Sequence, residues 1–341
     1  MSPVNRPREP DALPRDGDEV PAAVAEILRF MRERPGDKRP IAELSLEAAR
    51  ARTRDLWHGF WNEHPPAVAV VRDARVKTGG RAVNVRVYDP QSGGDRPVFY
   101  FAGGGFVVGD LDTHDGIARR LALFSGRPVI SVEYRRAPEH PYPAPLEDCV
   151  GTVDSIVAGA VDVGIDARVF SIAGDSAGAN LALATAVRLR DRGGPMPRSL
   201  ALMFGCFDPG MNGGSLERLG SGQYLLTARD MRWYWQQYLG LAASSPPPDV
   251  ALLNANLSGL PATFVAATGL DPLRDDSVAL AARLKAHRVP HLFRHWRGMI
   301  HGCVGMGRML NQGDHYLAET AIWLADTLQL PLDDDVNRMA Q

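Results

Sequence analysis

Cysteine is scarce in this chain: Cys149, Cys206 and Cys303 are the only three among 341 residues. They are too few and too scattered for a disulfide framework or a zinc cage. No run of about eighteen apolar residues occurs, so no membrane span is expected. An excess of one charge is missing as well. Against 38 Lys and Arg stand 40 Asp and Glu, a formal net charge of −2. That balance leaves no electrostatic footprint for nucleic acid. Residues 1–20 are rich in Pro, Arg, Asp and Glu and hold no apolar block of signal-peptide length. The arginine-rich stretch from Arg50 to Arg54 reads as the solvated face of a helix. Together these lacks point to a reduced, cytoplasmic protein.

What is present suits a large buried core. Apolar residues make up 45% of the chain and charged residues 23%, both ordinary for globular proteins. Residues 1–20 read as a mobile arm. From Pro21 the apolar positions Val24, Ile27, Leu28 and Met31 recur at helical spacing, and a second helical stretch runs from about 41 to 60. Two β-rich runs, 68–76 and 82–88, flank Lys77-Thr78-Gly79-Gly80, a hairpin signal. Short apolar runs then follow at 97–102, 128–134, 169–173, 200–204 and 262–268, separated by helix-length segments. Apolar runs without alternation mark strands buried on both faces, hence a parallel sheet covered by helices. Residues 208–250 interrupt that rhythm and read as an insertion. With 21–65 they are expected to form a helical cap on a core of 66–207 and 251–341.

Chemistry concentrates where the strand at 169–173 meets a helix. Gly174-Asp175-Ser176-Ala177-Gly178 is a G-x-S-x-G turn, which sets a serine on a strained strand-to-helix corner at the positive end of the helix. Ser176 is the candidate nucleophile. Upstream, Phe99-Tyr100-Phe101 leads into Ala102-Gly103-Gly104-Gly105-Phe106, a loop able to turn N–H groups into a cleft. The candidate oxyanion donors are Gly103, Gly104 and Gly105, together with Ala177. A dinucleotide fingerprint fails there, because Val108 stands where its last glycine should fall.

A serine nucleophile needs a general base, and the base a partner that fixes its tautomer. Asp271 and His301 follow Ser176 in the chain order of this fold, and both sit on loops at strand ends. Asp275 and Asp276 read as early helix residues balancing the dipole. His287, His291 and His295 are spaced by four, but Pro290 argues against the shared helix that a metal site would need. Cys303 reads as a packing residue. Trp233-Tyr234-Trp235 could line a pocket or pack within the cap.

These motifs resemble the bacterial hormone-sensitive-lipase-like esterases, and among them the acetyl esterases, over roughly residues 97–325. The resemblance rests on Gly103-Gly104-Gly105-Phe106-Val107-Val108-Gly109, on the run from Glu133 to Pro141, and on Gly174 to Asn180. Leu225-Leu226-Thr227, Leu257-Ser258-Gly259-Leu260-Pro261, Asp271-Pro272-Leu273-Arg274-Asp275 and His301-Gly302 extend it. It implies an α/β-hydrolase fold, a mostly parallel sheet flanked by helices with a helical cap. It also implies a Ser176–His301–Asp271 triad that cleaves short-chain, acetyl-like esters through an acyl-enzyme, and a structural role for the segment around Tyr134. Neither a metal nor an organic cofactor is required. The expected partner is a small-molecule ester, and self-association into homo-oligomers is left open. Amidase or lactonase chemistry, or a weakly active ligand-binding protein on the same scaffold, are the alternatives.

Two positions depart from the family pattern. Ala102 stands where the family carries histidine, and Cys303 where it carries phenylalanine. Losing a whole oxyanion donor costs about 3–4 kcal/mol, so a loop that is merely less well steadied should cost less, roughly 1–2 kcal/mol.

Overall fold

The computed structural model describes residues 19–240 and 246–329. Of the expected N-terminal arm, all but its last two residues lies outside that range, as do residues 241–245 of the expected insertion and the C-terminal end. The first helices are α1 (Ala22–Glu33) and α2 (Leu46–Arg54), with a short 3₁₀ turn at Ile41–Glu43 between them. Ser45 caps α2 by accepting the amide of Ala48. The second helical stretch is not uniform, because α2 widens into a π-helical segment, Asp55–Trp61.

The sheet has eight strands: β1 (Val70–Thr78), β2 (Arg81–Asp89), β3 (Val98–Phe101), β4 (Val129–Glu133), β5 (Ser171–Asp175), β6 (Ser199–Met203), β7 (Ala262–Leu270) and β8 (His291–Ile300). Their spatial order is β1-β2-β4-β3-β5-β6-β7-β8. The β1–β2 and β2–β4 pairs are antiparallel, and every pair from β4 onward is parallel. Helices α3 (Asp115–Ser125), α4 (Ala144–Val157), α5 (Ala177–Asp191), α8 (Arg274–Ala286) and α9 (Asn311–Gln329) connect or follow the strands. Between β6 and β7 lie α6 (Gly214–Leu219) and α7 (Ala228–Leu239).

Why the strands read as unbroken apolar runs is now plain. Phe99 and Phe101 face one core with Ile172, Leu200 and Leu202, packed by α4, α5 and α8. Their neighbours Val98 and Tyr100 face a second core with Ala173, Ala201 and Met203, packed by α1, α3 and α9. Alternate side chains go to opposite faces, and both faces are dry. Each fully buried Leu or Phe contributes roughly 1.5–3 kcal/mol, so the central strands are a rigid base for the loops at their ends.

The two segments outside this sandwich touch each other. The amide of Ala42 donates to Asp230 at 3.4 Å, and Arg229 pairs with Glu43. Thr227 caps α7 by accepting the Asp230 amide at 2.8 Å. The reading of Arg50 as a solvated residue is corrected. Its guanidinium reaches the carbonyls of Val107 (3.0 Å) and Ala137 (3.2 Å) and the Glu139 carboxylate (2.6 Å), which pins α2 to the core. Carbonyls packed away from water need donors, and the Arg50 guanidinium supplies them.

Candidate active site

Ser176 is the single residue between β5 and α5, with φ 53° and ψ −121°. Such a conformation costs a non-glycine residue about 1–3 kcal/mol and persists only where the surroundings enforce it. The surroundings do so here. A side chain on Gly174 would place its Cβ 2.2 Å from the Gly178 carbonyl oxygen, and one on Gly178 would sit 1.9 Å from that of Phe101. The corner is also tied sideways, because the Ser176 amide donates to Met203 O at the end of β6 (2.9 Å).

His301 follows β8 and Asp271 follows β7, so both lie on the sheet edge that carries Ser176. The three side chains meet. His301 Nε2 stands 3.0 Å from Ser176 Oγ, and His301 Nδ1 stands 2.8 Å from Asp271 Oδ2. Asp271 is wholly buried and also accepts from the Thr268 hydroxyl (2.6 Å) and the Leu273 amide (2.8 Å). With that carboxylate as its partner, Nδ1 holds the imidazole proton, and Nε2 is left to accept from the serine hydroxyl. Phe204 packs edge-on against the imidazole, with ring centroids 4.9 Å apart at 68°.

The glycine loop lies beside the serine, and its amides are not equivalent. Gly103 N–H donates to the Asp175 carboxylate at 3.0 Å, which takes it out of the candidate donor set. The amides of Gly104, Gly105 and Ala177 have no acceptor among the described residues. The expected set of three loop glycines therefore narrows to two, because one amide is spent on a buried carboxylate.

Neighbouring segments close over this cluster. Trp57 lies against Gly302 and Gly305 in the turn that carries His301, and Tyr234 lies directly over Gly105. Trp235 and Tyr238 pack on Phe106, the latter stacked with centroids 3.8 Å apart. Of the aromatic run in α7, Tyr234 reaches the site and Trp235 packs. Asp175, Phe204 and Trp57 were not singled out by sequence reasoning, and only the position of Asp175 next to the serine offered a signal.

The remaining candidates are elsewhere. Cys303 is buried, and its surroundings push the thiol up, chiefly through burial and then through the charge of Asp271. A nucleophilic thiol needs the opposite shift. His291 and His295 are on strand β8 while His287 ends α8, so helical spacing is not realised. Asp275 accepts the Ser215 amide at 2.7 Å. Asp276 accepts the amides of Phe207 (2.7 Å) and Asp208 (3.0 Å), more than a simple balance of the α8 dipole.

Burial pushes the Asp276 carboxyl from 3.8 up to about 7, although the two amides oppose the shift. An acid whose pKa is raised by folding stabilises the fold while both states are protonated. The stability falls as pH climbs from the unfolded value to the folded one. Asp276→Asn keeps an oxygen for the two amides and cannot ionise. It is expected to match the wild type near pH 4 and to gain at most about 4 kcal/mol at pH 8. Urea midpoints at the two pH values check this, and equal differences at both would contradict it.

Comparison with known proteins decides the family. A family model described as the alpha/beta hydrolase fold matches residues 98–305. The chain belongs to this family. The α/β hydrolase is 35% identical over 304 residues to "Esterase LipI" of Mycobacterium tuberculosis, covering 86% of this chain and 92% of that one. It is 32% identical over 274 residues to "Acetyl esterase" of Salmonella typhi, covering 80% and 84%. Among solved structures it is similar to an ester-hydrolase from the metagenome of Lake Arreo, complexed with a derivative of bipyridine phosphonate. That likeness has a TM-score of 0.85 at 30% identity and covers 92% of this chain and 100% of the other. A hyperthermophilic esterase from Pyrobaculum calidifontis gives a TM-score of 0.84 at 30% identity, covering 90% and 98%. The resemblance to hormone-sensitive-lipase-like esterases read from the motifs is thus borne out. Among the described residues no helix is long and apolar enough to cross a membrane.

Proposed function

We propose that this α/β hydrolase cleaves short-chain, acetyl-like carboxylic esters, with Ser176 as nucleophile, His301 as general base and Asp271 as the residue that orients it. That it is a carboxylic ester hydrolase follows from its fold and from relatives named as esterases. One observation carries the finer reading: the continuous hydrogen-bonded chain from Ser176 Oγ through His301 to Asp271.

In this mechanism His301 Nε2 takes the Ser176 proton as Oγ attacks the ester carbonyl carbon. Negative charge gathers on the carbonyl oxygen, which the amides of Gly104, Gly105 and Ala177 receive at the positive end of α5. His301 then gives its proton to the leaving oxygen, and the alcohol departs. Water attacks the acyl-serine by the same route, its proton passing to His301 and from there to Ser176 Oγ as the acid is released. The imidazolium formed in each half is stabilised by Asp271. Residues 21–65 and 208–250 act as a cap, and Trp57 and Tyr234 bring it against the site.

The short-acyl preference rests on the acetyl esterases among the relatives. A series of p-nitrophenyl esters tests it, with kcat/KM highest at acetate to butyrate. Rates that climb steadily to octanoate would contradict it. An aryl phosphonate is expected to remove activity with one adduct per chain, mapped by peptide mass spectrometry to Ser176; labelling of any other residue would overturn the assignment.

A further inference from the structure

The family's histidine before the glycine loop is Ala102 here, yet the loop is not left untied. Its first peptide unit, Ala102–Gly103, is gripped on both polar groups by side chains from other elements. Tyr134, just beyond β4, donates its hydroxyl to Ala102 O at 2.6 Å. Asp175, the last residue of β5, accepts the Gly103 amide on Oδ1 at 3.0 Å. Both side chains are buried. Tyr100 donates to the same Oδ1, and His114 Nε2 stands 3.6 Å from Oδ2. His114 is held in turn, with Nδ1 2.9 Å from Thr113 Oγ1.

We infer that Tyr134 and Asp175 are positioning residues, which hold the Ala102–Gly103 peptide so that the next two amides point at the carbonyl oxygen of a bound ester. The inference rests on the ester-hydrolysis reading above. Its physical content is simple. A peptide plane fixed at both its C=O and its N–H can neither flip nor tilt, and the Gly104 amide is one residue along. Asp175 also precedes Ser176 directly. One side chain therefore sets the spacing between nucleophile and oxyanion donors. Burial disfavours the charged carboxylate, but the neighbouring His114 and the bonds from Tyr100 and Gly103 outweigh it and hold Asp175 below the usual range.

The test uses the full-length protein and p-nitrophenyl acetate. Wild-type turnover that Ser176→Ala abolishes establishes the underlying reading; if the two were equal, that reading would fail and not this one. Asp175→Ala is then expected to lower kcat roughly 10–100-fold with KM within about threefold, since the donors act mainly in the transition state. Affinity for a trifluoromethyl ketone, which forms the tetrahedral adduct, should fall in parallel. Asp175→Asn keeps the accepting oxygen, and its amide hydrogen can go to His114 Nε2, so kcat should recover to within roughly threefold of wild type. A folded Asp175→Ala with unchanged kcat, or an asparagine variant as poor as the alanine one, overturns the inference. Should Asp175→Ala fail to fold, Tyr134→Phe decides. Loss of the hydroxyl alone should lower kcat roughly 3–10-fold at constant KM, and an unaltered kcat overturns the proposal.

Discussion

Ser176→Ala is expected to lower kcat for p-nitrophenyl acetate by roughly 10⁴–10⁶-fold while leaving KM within a few-fold. The argument is geometric. Among the described residues, Oγ is the only nucleophilic atom within hydrogen-bonding distance of His301 Nε2. The Cys303 thiol belongs to the core beneath and is held protonated by burial. No substitute nucleophile is therefore available except water. Water would still meet the amides of Gly104, Gly105 and Ala177, and a residual acceleration of about 10³–10⁴ over the uncatalysed reaction is expected from them. The fold should not notice the change, because the strained corner is imposed by the close approach of Gly174 and Gly178 and by the bond to Met203 O, not by the hydroxyl. A variant that unfolds at the wild-type temperature, binds substrate and does not turn it over is the expected result. Retention of even one tenth of the wild-type kcat would remove Ser176 from the mechanism.

How far the sequence disclosed this site depends on whether its contacts are local. The Ser176 corner was legible because strand, turn and helix are contiguous there, and two glycines mark where backbones cross. Asp271 and His301 were legible through chain order and through the strand ends that precede them. What stayed hidden are contacts between distant segments. Nothing in the glycine run says that the Gly103 amide is consumed by a carboxylate 72 residues on. The reach of Arg50 to Val107 spans 57 residues, and helical periodicity cannot distinguish that anchor from a solvated arginine. The widening of α2 at Asp55–Trp61 was hidden for another reason. A π-helical segment bonds i to i+5 and turns more widely than an α-helix, but over seven residues the change in spacing is too short to stand out in the apolar pattern. The central strands β3 to β7, in contrast, were placed to within a few residues, since burial on both faces leaves a composition that short apolar runs report directly.

Asp271→Asn is the subtler replacement and is expected to lower kcat by about 10⁴-fold, nearly as much as loss of a triad member outright. The new amide has one oxygen and one NH₂ to place on two sites. The Oδ1 site receives the Leu273 amide, a backbone donor that cannot turn away. The Oδ2 site receives the Thr268 hydroxyl, which can rotate to offer a lone pair, and His301 Nδ1. The asparagine must therefore set its oxygen toward Leu273 and its NH₂ toward His301. Faced with a donor, Nδ1 gives up its proton, and the imidazole carries hydrogen on Nε2 instead. That nitrogen then points a proton at Ser176 Oγ and cannot accept one. Substrate binding does not use this contact, so the loss should fall on kcat and not on KM. Asp271→Asn within tenfold of wild type would mean that the carboxylate does not select the histidine tautomer, and that the 2.8 Å contact is packing alone.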